Sequence, residues 1–276
     1  MTRADVPRHL IAGLEKETPL WELFHENSKA GRYSFFPQPE FINQQMARML
    51  QSFDYEQYPE IQLPQSRTRL DLDMQSAISA RVSGRDLTPV RLTLEQVATL
   101  LANCYGVTRD NEGTDFPRPF RIVPSGGALY PLELYFHSAH VEELEAGLYH
   151  YNPMRGSLRF LRYGDESRRL SESLVQRNLA LDCSLLLFIT AVFERSAFKY
   201  GERGYRFVLI EAGHVAQNLA LTATAMGLGC LTIGGYADRQ IDELLGLDGV
   251  SHSTIYMAGI GGTAPDAGTR ALPMGA

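Results

Sequence analysis

The segment Ser184-Leu-Leu-Leu-Phe-Ile-Thr-Ala-Val-Phe193 constrains the fold more than any other part of the chain. It is apolar on both alternating faces and bounded by charge, so it predicts a central strand covered from above and below. Shortly after it, from about Tyr205 to Met226, comes a helical stretch that is apolar nearly all round. Such a helix is expected to be buried on all sides. Gly213, Ala216, Ala220 and Ala223 recur along it at intervals of three or four, leaving a smooth stripe where another helix can approach. The helix therefore belongs at the centre of a large core or across a subunit interface.

The surrounding pattern fixes the class. Thr93 and Gln96 have capping-box spacing, and Leu94, Val97, Leu100, Leu101 and Cys104 recur at helical intervals until Gly106. Residues 107–119 read as a polar loop, and Leu132–Phe136 as a strand. Leu148–Tyr151 and Leu158–Leu161 read as a hairpin joined by Asn-Pro-Met-Arg-Gly-Ser. Ser167–Asn178 reads as an exposed helix, and Thr254–Ala258 as a final strand before a glycine-rich tail. Strands and helices mix without regular alternation, which gives an α+β class. Residues 1–70 differ from the rest. They scatter single aromatics (Trp21, Phe24, Tyr33, Phe35, Phe36, Phe53, Tyr55, Tyr58) and prolines, among them Pro37, Pro39, Pro59 and Pro64, among polar residues. This stretch is expected to form a cap or lid over a main domain spanning 71–276.

Composition excludes several functions. The 276 residues carry 26 Lys+Arg against 32 Asp+Glu, a net charge of −6, and the arginines are dispersed. Nucleic-acid binding needs a clustered basic face, so no such partner is expected. No stretch of roughly 18 residues is free of polar side chains, which argues against a membrane span. Met1–Glu15 lacks an apolar signal core. Cys104, Cys183 and Cys230 are odd in number and far apart, which argues against a disulfide framework. A cytoplasmic location is the simplest reading.

Common catalytic motifs are missing as well. The sequence has no GxGxxG after a strand and no phosphate loop GxxxxGK[ST]. Val123 stands where a GxSxG nucleophile elbow needs its first glycine. Without HExxH or CxxC, no metal site has a basis. His137 and His140, three apart at the end of a strand, are expected at the surface.

Three segments remain. Arg81-Val-Ser-Gly-Arg85 sets two guanidiniums and a hydroxyl where they could converge on one phosphate, although a charged loop is more often only solvated. Arg121-Ile-Val-Pro-Ser-Gly-Gly-Ala-Leu-Tyr-Pro131 lets backbone amides approach a flat, electron-rich ligand. A simple turn would need the glycines but not Arg121, Ser125 and two prolines. Phe198-Lys-Tyr-Gly-Glu-Arg-Gly-Tyr-Arg206 reads as a short loop between the apolar strand and helix. Desolvation there would make Lys199 a usable base, whereas a lysine that snorkels to solvent would not be one.

Taken in order, Arg-x-Ser-x-Arg, Pro-Ser-Gly-Gly-x-Leu-x-Pro and Met226-Gly-Leu-Gly-Cys-Leu-Thr-Ile-Gly-Gly235 resemble the FMN-dependent nitroreductase superfamily. Phe198-Lys-Tyr, Arg206-Phe-Val-Leu-Ile-Glu-Ala-Gly-His214 and Gln217-Asn218 are similar to its SagB-type, McbC-like azoline dehydrogenases. Phe24-His-Glu-Asn-Ser-Lys29 is similar to the N-terminal part of that subgroup.

The resemblance implies a mixed sheet flanked by helices and an intertwined homodimer with FMN at the interface. Carried over by position, Arg81, Ser83 and Arg85 would hold the phosphate and ribityl chain. Pro124, Ser125, Gly126, Gly127 and Leu129 would line the isoalloxazine, and Ile233, Gly234 and Gly235 would approach it from the segment after the long helix. A phosphate-binding arginine near the C-terminus would have Arg270 as its candidate. The implied reaction oxidises a thiazoline or oxazoline ring to a thiazole or oxazole in a peptide or carrier-tethered intermediate. Lys199 would serve as base, Tyr200 as its partner and dioxygen as the final oxidant. A cyclodehydratase or synthetase complex is implied as partner. An NAD(P)H-dependent nitro or quinone reductase, and a catalytically silent scaffold, remain open alternatives.

Overall fold

A computed structural model of the chain describes residues 19–31, 37–111, 113 and 118–263. Tyr33, Phe35, Phe36, Arg270 and Met1–Glu15 lie outside the described residues. Helices α1 (Leu20–Asn27) and α2 (Pro39–Arg48) precede strand β1 (Glu60–Gln62), α3 (Met74–Ala80), β2 (Leu87–Thr88) and α4 (Leu94–Tyr105). A short ribbon of β3 (Val107–Arg109) and β4 (Phe120–Arg121) follows. Next come β5 (Leu132–Ser138), β6 (Gly147–Asn152) and β7 (Ser157–Tyr163). The chain continues through α5 (Ser167–Ser173), α6 (Asn178–Asp182), β8 (Leu185–Val192), α7 (Glu194–Tyr200) and α8 (Arg203–Ala225). It ends in β9 (Gly229–Ile233), α9 (Asp238–Leu245) and β10 (His252–Thr263).

The main sheet runs β1-β7-β6-β5-β8-β10-β2, with β9 also on β10. Every ladder in it is antiparallel. The mixed character expected of the sheet resides in two isolated parallel bridges, Ser83–Cys230 and Leu92–Val141. As expected, β8 is central, and its side chains alternate between two cores. Leu185, Leu187, Ile189 and Ala191 join Leu100, Leu101, Val215 and Leu219 of α4 and α8. Leu186 and Phe188 join Leu170, Leu179 and Ile241 of α5, α6 and α9. Helices thus cover both faces, which is why β8 has no polar face. The α4 capping box forms as read, with Gln96 N donating to Thr93 Oγ1 at 3.2 Å and Thr93 N to Gln96 Oε1 at 2.9 Å.

Three expectations change. The exposed helix expected over Ser167–Asn178 ends at Ser173, and a second short helix begins only at Asn178. Leu174 bridges Tyr236, and Val175 N donates to Gly235 O at 3.0 Å, which draws the chain out of helix; Leu170 is fully buried. His137 is buried and accepts from Glu166 N at 3.0 Å, because β5 lies mid-sheet, while His140 is exposed as expected. The long helix is not covered all round: Tyr205, Leu209 and Ile210 are about half exposed. The stretch before residue 70 also contributes directly to the fold, adding β1 as an edge strand and Leu63 to the α4–α8 core. No helix among the described residues is long and apolar enough to cross a membrane.

Candidate functional site

The chain leaves α3 at Arg81 and runs beside β9, where Gly84 N donates to Cys230 O at 3.0 Å. Arg81 and Ser83 then line a cleft of about 120 Å³ together with Thr232, Tyr256 and the Gly213, Ala216, Gln217 and Ala220 flank of α8. The Tyr256 hydroxyl donates to Thr232 Oγ1 at 2.9 Å, which fixes the polar wall. Gly213, Ala216 and Ala220 of the small-residue stripe read from the sequence therefore line this cleft, while Ala223 lies in the core. Arg85 is exposed and does not line it.

The second group surrounds the loop before β5. Gly126–Ala128 makes one tight turn with left-handed φ angles of +67° at Gly127, +53° at Ala128 and +47° at Tyr130. Left-handed non-glycine residues cost of order 1–3 kcal/mol each and collect where function holds them. Ser125 Oγ accepts from Tyr130 N at 2.9 Å and closes the turn. A methyl placed on Gly127 would stand 2.6 Å from the Tyr200 hydroxyl and 2.7 Å from Lys199 Nζ. The loop, the lysine and the tyrosine therefore converge on one point. Gly126 packs on Phe207, whose ring meets that of Tyr200 edge-on at 4.9 Å. Lys199 and Tyr200 occupy the last turn of α7 rather than a loop. Gly201, with φ +54°, ends that helix immediately before α8 begins.

Beneath this loop lies Glu211, a carboxylate on the buried face of α8. The Tyr105 hydroxyl donates to its Oε1 at 2.8 Å, and Leu132 N donates to that hydroxyl at 3.2 Å. Burial pushes the Glu211 carboxyl up to about 7, although the Ser125 and Tyr105 hydroxyls and the Arg121 charge pull it down. Arg121 lies over the Tyr105 ring at 4.3 Å. Sequence reasoning left Glu211 undecided between core and site and missed Tyr105. The available signal was a carboxylate one turn after Phe207 in an apolar helix.

A further polar cluster was not anticipated. On β5, the fully buried Glu133 accepts from Ser52 Oγ at 2.9 Å, Phe53 N at 3.1 Å and His150 Nε2 at 2.7 Å, and pairs with Arg195 at 2.7 Å. Burial alone would raise its carboxyl, but Arg195 and His150 hold it well below the usual range. Arg195 sits on α7, one turn before Lys199.

The remaining predicted residues divide. Gly234 is exposed with open space around it, Gly235 packs on Val175, and Ile233 is buried. Pro124 is exposed, whereas Leu129 is 1% exposed and points into the protein. The loop group abuts α8 at Phe207 and the cleft abuts it at Gly213–Ala220. At 3.6 residues per turn these flanks are separated by roughly 130° around the helix axis. The two groups therefore lie on different sides of α8.

The fold is that of the nitroreductase family. The chain belongs to the nitroreductase family, whose sequence profile it matches over residues 78–262. Within the superfamily it is McbC-like. It is 32% identical over 174 residues to the microcin B17-processing protein McbC of Escherichia coli, covering 57% of this chain and 58% of that protein. One chain of the E. coli microcin synthetase McbBCD complex, solved with truncated pro-MccB17 bound, superposes with a TM-score of 0.55 at 25% identity, covering 88% of this chain and 92% of that one. A Methanocaldococcus jannaschii protein assigned to the nitroreductases is 36% identical over 186 residues, covering 67% of this chain and 89% of its own length.

Proposed function

We propose that this chain is an FMN-dependent dehydrogenase that oxidises thiazoline or oxazoline rings to thiazoles or oxazoles in a peptide or carrier-tethered intermediate. The observation that carries this reading is the convergence of Lys199 Nζ and the Tyr200 hydroxyl on Gly127. A reductase that only passes hydride to an acceptor has no use for a base and a phenol at that point. Membership of the nitroreductase family and the likeness to McbC support both the cofactor and the substrate class.

The residues present fit FMN. Arg81 and Ser83 offer a guanidinium fork and a hydroxyl to a phosphate in a polar cleft, which Arg85 does not line. Gly213 and Gly234 have nothing within 4 Å of the position a methyl would take, which leaves room for a ring system to pass. Ligand pockets generally exceed about 300 Å³, so a cleft of about 120 Å³ in one chain is an incomplete site. Two copies related by a twofold axis along the exposed stripe of α8 would bring the Arg81 cleft of one against the Ser125–Gly127 loop of the other. That arrangement covers Tyr205, Leu209 and Ile210 and makes the homodimer the functional unit.

When bound, FMN supplies a hydride acceptor that dioxygen restores. Lys199 takes the ring Cα proton at Nζ, and the Tyr200 hydroxyl beside it positions the amine and shares the proton. The Ser125–Gly127 turn holds the reacting ring at that point, and gain of aromaticity drives the reaction. A ring-forming enzyme must supply the azoline, which makes a synthetase complex the expected setting.

Anaerobic mixing of the yellow holoprotein with a synthetic thiazoline peptide tests this. Bleaching of the flavin band near about 450 nm by the peptide but barely by NAD(P)H is expected. Lys199→Ala should stay yellow and bleach about 10²–10⁴-fold more slowly. Bleaching by NAD(P)H alone would make the protein a reductase.

A further inference from the structure

Tyr256 lies two residues from Ala258, the ladder partner of Thr232, so both side chains stand on one face of the β9–β10 pair. The Tyr256 hydroxyl spans that diagonal and gives its hydrogen to Thr232 Oγ1 at 2.9 Å. A threonine hydroxyl has one hydrogen to give and two lone pairs. Tyr256 occupies one lone pair, and among the described residues no acceptor takes the Thr232 hydrogen. Both side chains line the cleft that holds Arg81, Ser83 and Gln217, and none of the residues lining it is a carboxylate. The alternation of β9 turns Cys230 and Thr232 toward the cleft, while Leu231 and Ile233 join the core on the other face of the sheet. The wall of the cleft therefore carries a hydroxyl that is fixed from behind and has a hydrogen to give in front.

We propose that Thr232 donates this hydrogen to the ring system of bound FMN, with Tyr256 as the positioning residue that aims it, and that the bond favours the reduced flavin. The inference rests on the flavin reading above and adds two residues to that site.

Position along β9 decides which part of the cofactor Thr232 meets. Ser83 bridges Cys230, so a phosphate held by Arg81 and Ser83 lies at that level. Thr232 is two residues further, about 7 Å along the strand. It immediately precedes Ile233 and Gly234, and a methyl on Gly234 would have nothing within 4 Å. The ring passes at that open space, which sets the Thr232 hydroxyl against ring nitrogens and carbonyls rather than against the phosphate. These acceptors gain negative charge when the flavin takes up a hydride. A hydrogen bond to a charged acceptor is stronger than one to a neutral acceptor, so the bond stabilises the reduced form more than the oxidised one. A flavin that must accept hydride from a substrate gains from that bias. Without Tyr256 the hydroxyl turns freely and the bias weakens.

The test measures the reduction potential of the bound flavin by anaerobic equilibration with a reference dye, together with the phosphorus NMR line of bound FMN. In Thr232→Val the equilibrium between reduced and oxidised flavin should tilt about tenfold toward the oxidised form, a potential lower by about 30 mV. The phosphorus line should stay where it is in wild type. Thr232→Ser keeps the hydroxyl and should restore the wild-type potential. Tyr256→Phe should lower the potential by a smaller amount and add nothing in the Thr232→Val background. It keeps the threonine hydroxyl, so it carries the test alone if Thr232→Val loses its FMN. A potential unchanged in both single variants overturns the proposal, as does a phosphorus line that moves while the potential stays. A Tyr256→Phe shift of equal size in both backgrounds overturns the positioning role. Each of these results leaves the flavin reading standing. A wild type that takes up no FMN overturns the flavin reading and this inference with it.

Discussion

Glu133 and Arg195 form an ion pair at 2.7 Å in which both side chains are almost wholly withdrawn from solvent. The pair ties two parts of the molecule to the sheet and cross-links two of its strands. Arg195 anchors α7, which ends in Lys199 and Tyr200, and the same carboxylate holds Ser52 and Phe53 of the N-terminal stretch and His150 of β6. Removing one partner strands the other charge in the interior. Glu133→Ala should therefore cost about 3–5 kcal/mol in a urea titration. A Glu133→Leu/Arg195→Met double variant should be less destabilised than Glu133→Ala, with its remaining defect in turnover rather than in folding. A double variant as unstable as the single one would show that the charges themselves are not the cause.

Acid and base should each lower stability, through two different groups. Burial pushes His252 down to about 4, so the folded protein keeps it neutral while an unfolded chain protonates it near the ordinary value of about 6.5. Stability from this group is full above about 6.5 and falls as pH drops toward 4. Glu211 is raised instead, so its contribution is full below an unfolded value of about 4.5 and is lost as pH rises through 7. Glu211→Gln should abolish the alkaline loss and leave the acid loss in place, as read from chemical denaturation at half-unit intervals of pH.

Gly127→Ala should damage the site more than the fold. The added methyl falls within 2.7 Å of both Lys199 Nζ and the Tyr200 hydroxyl, and φ +67° disfavours any side chain. The backbone cost is about 1–2 kcal/mol, whereas displacing the lysine should reduce thiazoline turnover at least as much as Lys199→Ala does. Near-wild-type turnover would separate Gly127 from the chemistry.

Arg81→Ala removes the guanidinium of the cleft beneath Gly213 and Ala216. A hydrogen bond to a charged group contributes about 1.5–3 kcal/mol, so FMN affinity should fall about 10- to 100-fold. Riboflavin, which lacks the phosphate, should bind the variant and wild type equally. Discrimination unchanged between the two ligands would move the phosphate elsewhere.

Ile210→Asp places a charge in the exposed apolar stripe of α8 without touching the core. Sedimentation should then report a monomer, and FMN should dissociate because each chain holds only part of the site. A monomeric variant that stays yellow would show that one chain suffices.

The sequence by itself determined the layers and most of the elements. An apolar β8 requires cover on both faces, a capping box starts a helix wherever it occurs, and a hairpin follows from two short apolar runs joined by turn residues; these are local demands. It also singled out Arg81, Ser83 and the Ser125–Gly127 turn as candidates for binding a ligand. Only the tertiary structure decided the rest. Glu133 is one residue in an ordinary strand until Arg195, 62 positions later, is folded against it. Glu211 could have faced solvent, core or site, and its place was set by Tyr105 in α4 and by the register of α8 against the sheet. The same register set Gly213, Ala216 and Ala220 along a cleft and left Tyr205, Leu209 and Ile210 uncovered. Periodicity reports which residues share a face of a helix; what that face meets depends on long-range packing, to which a local pattern is blind.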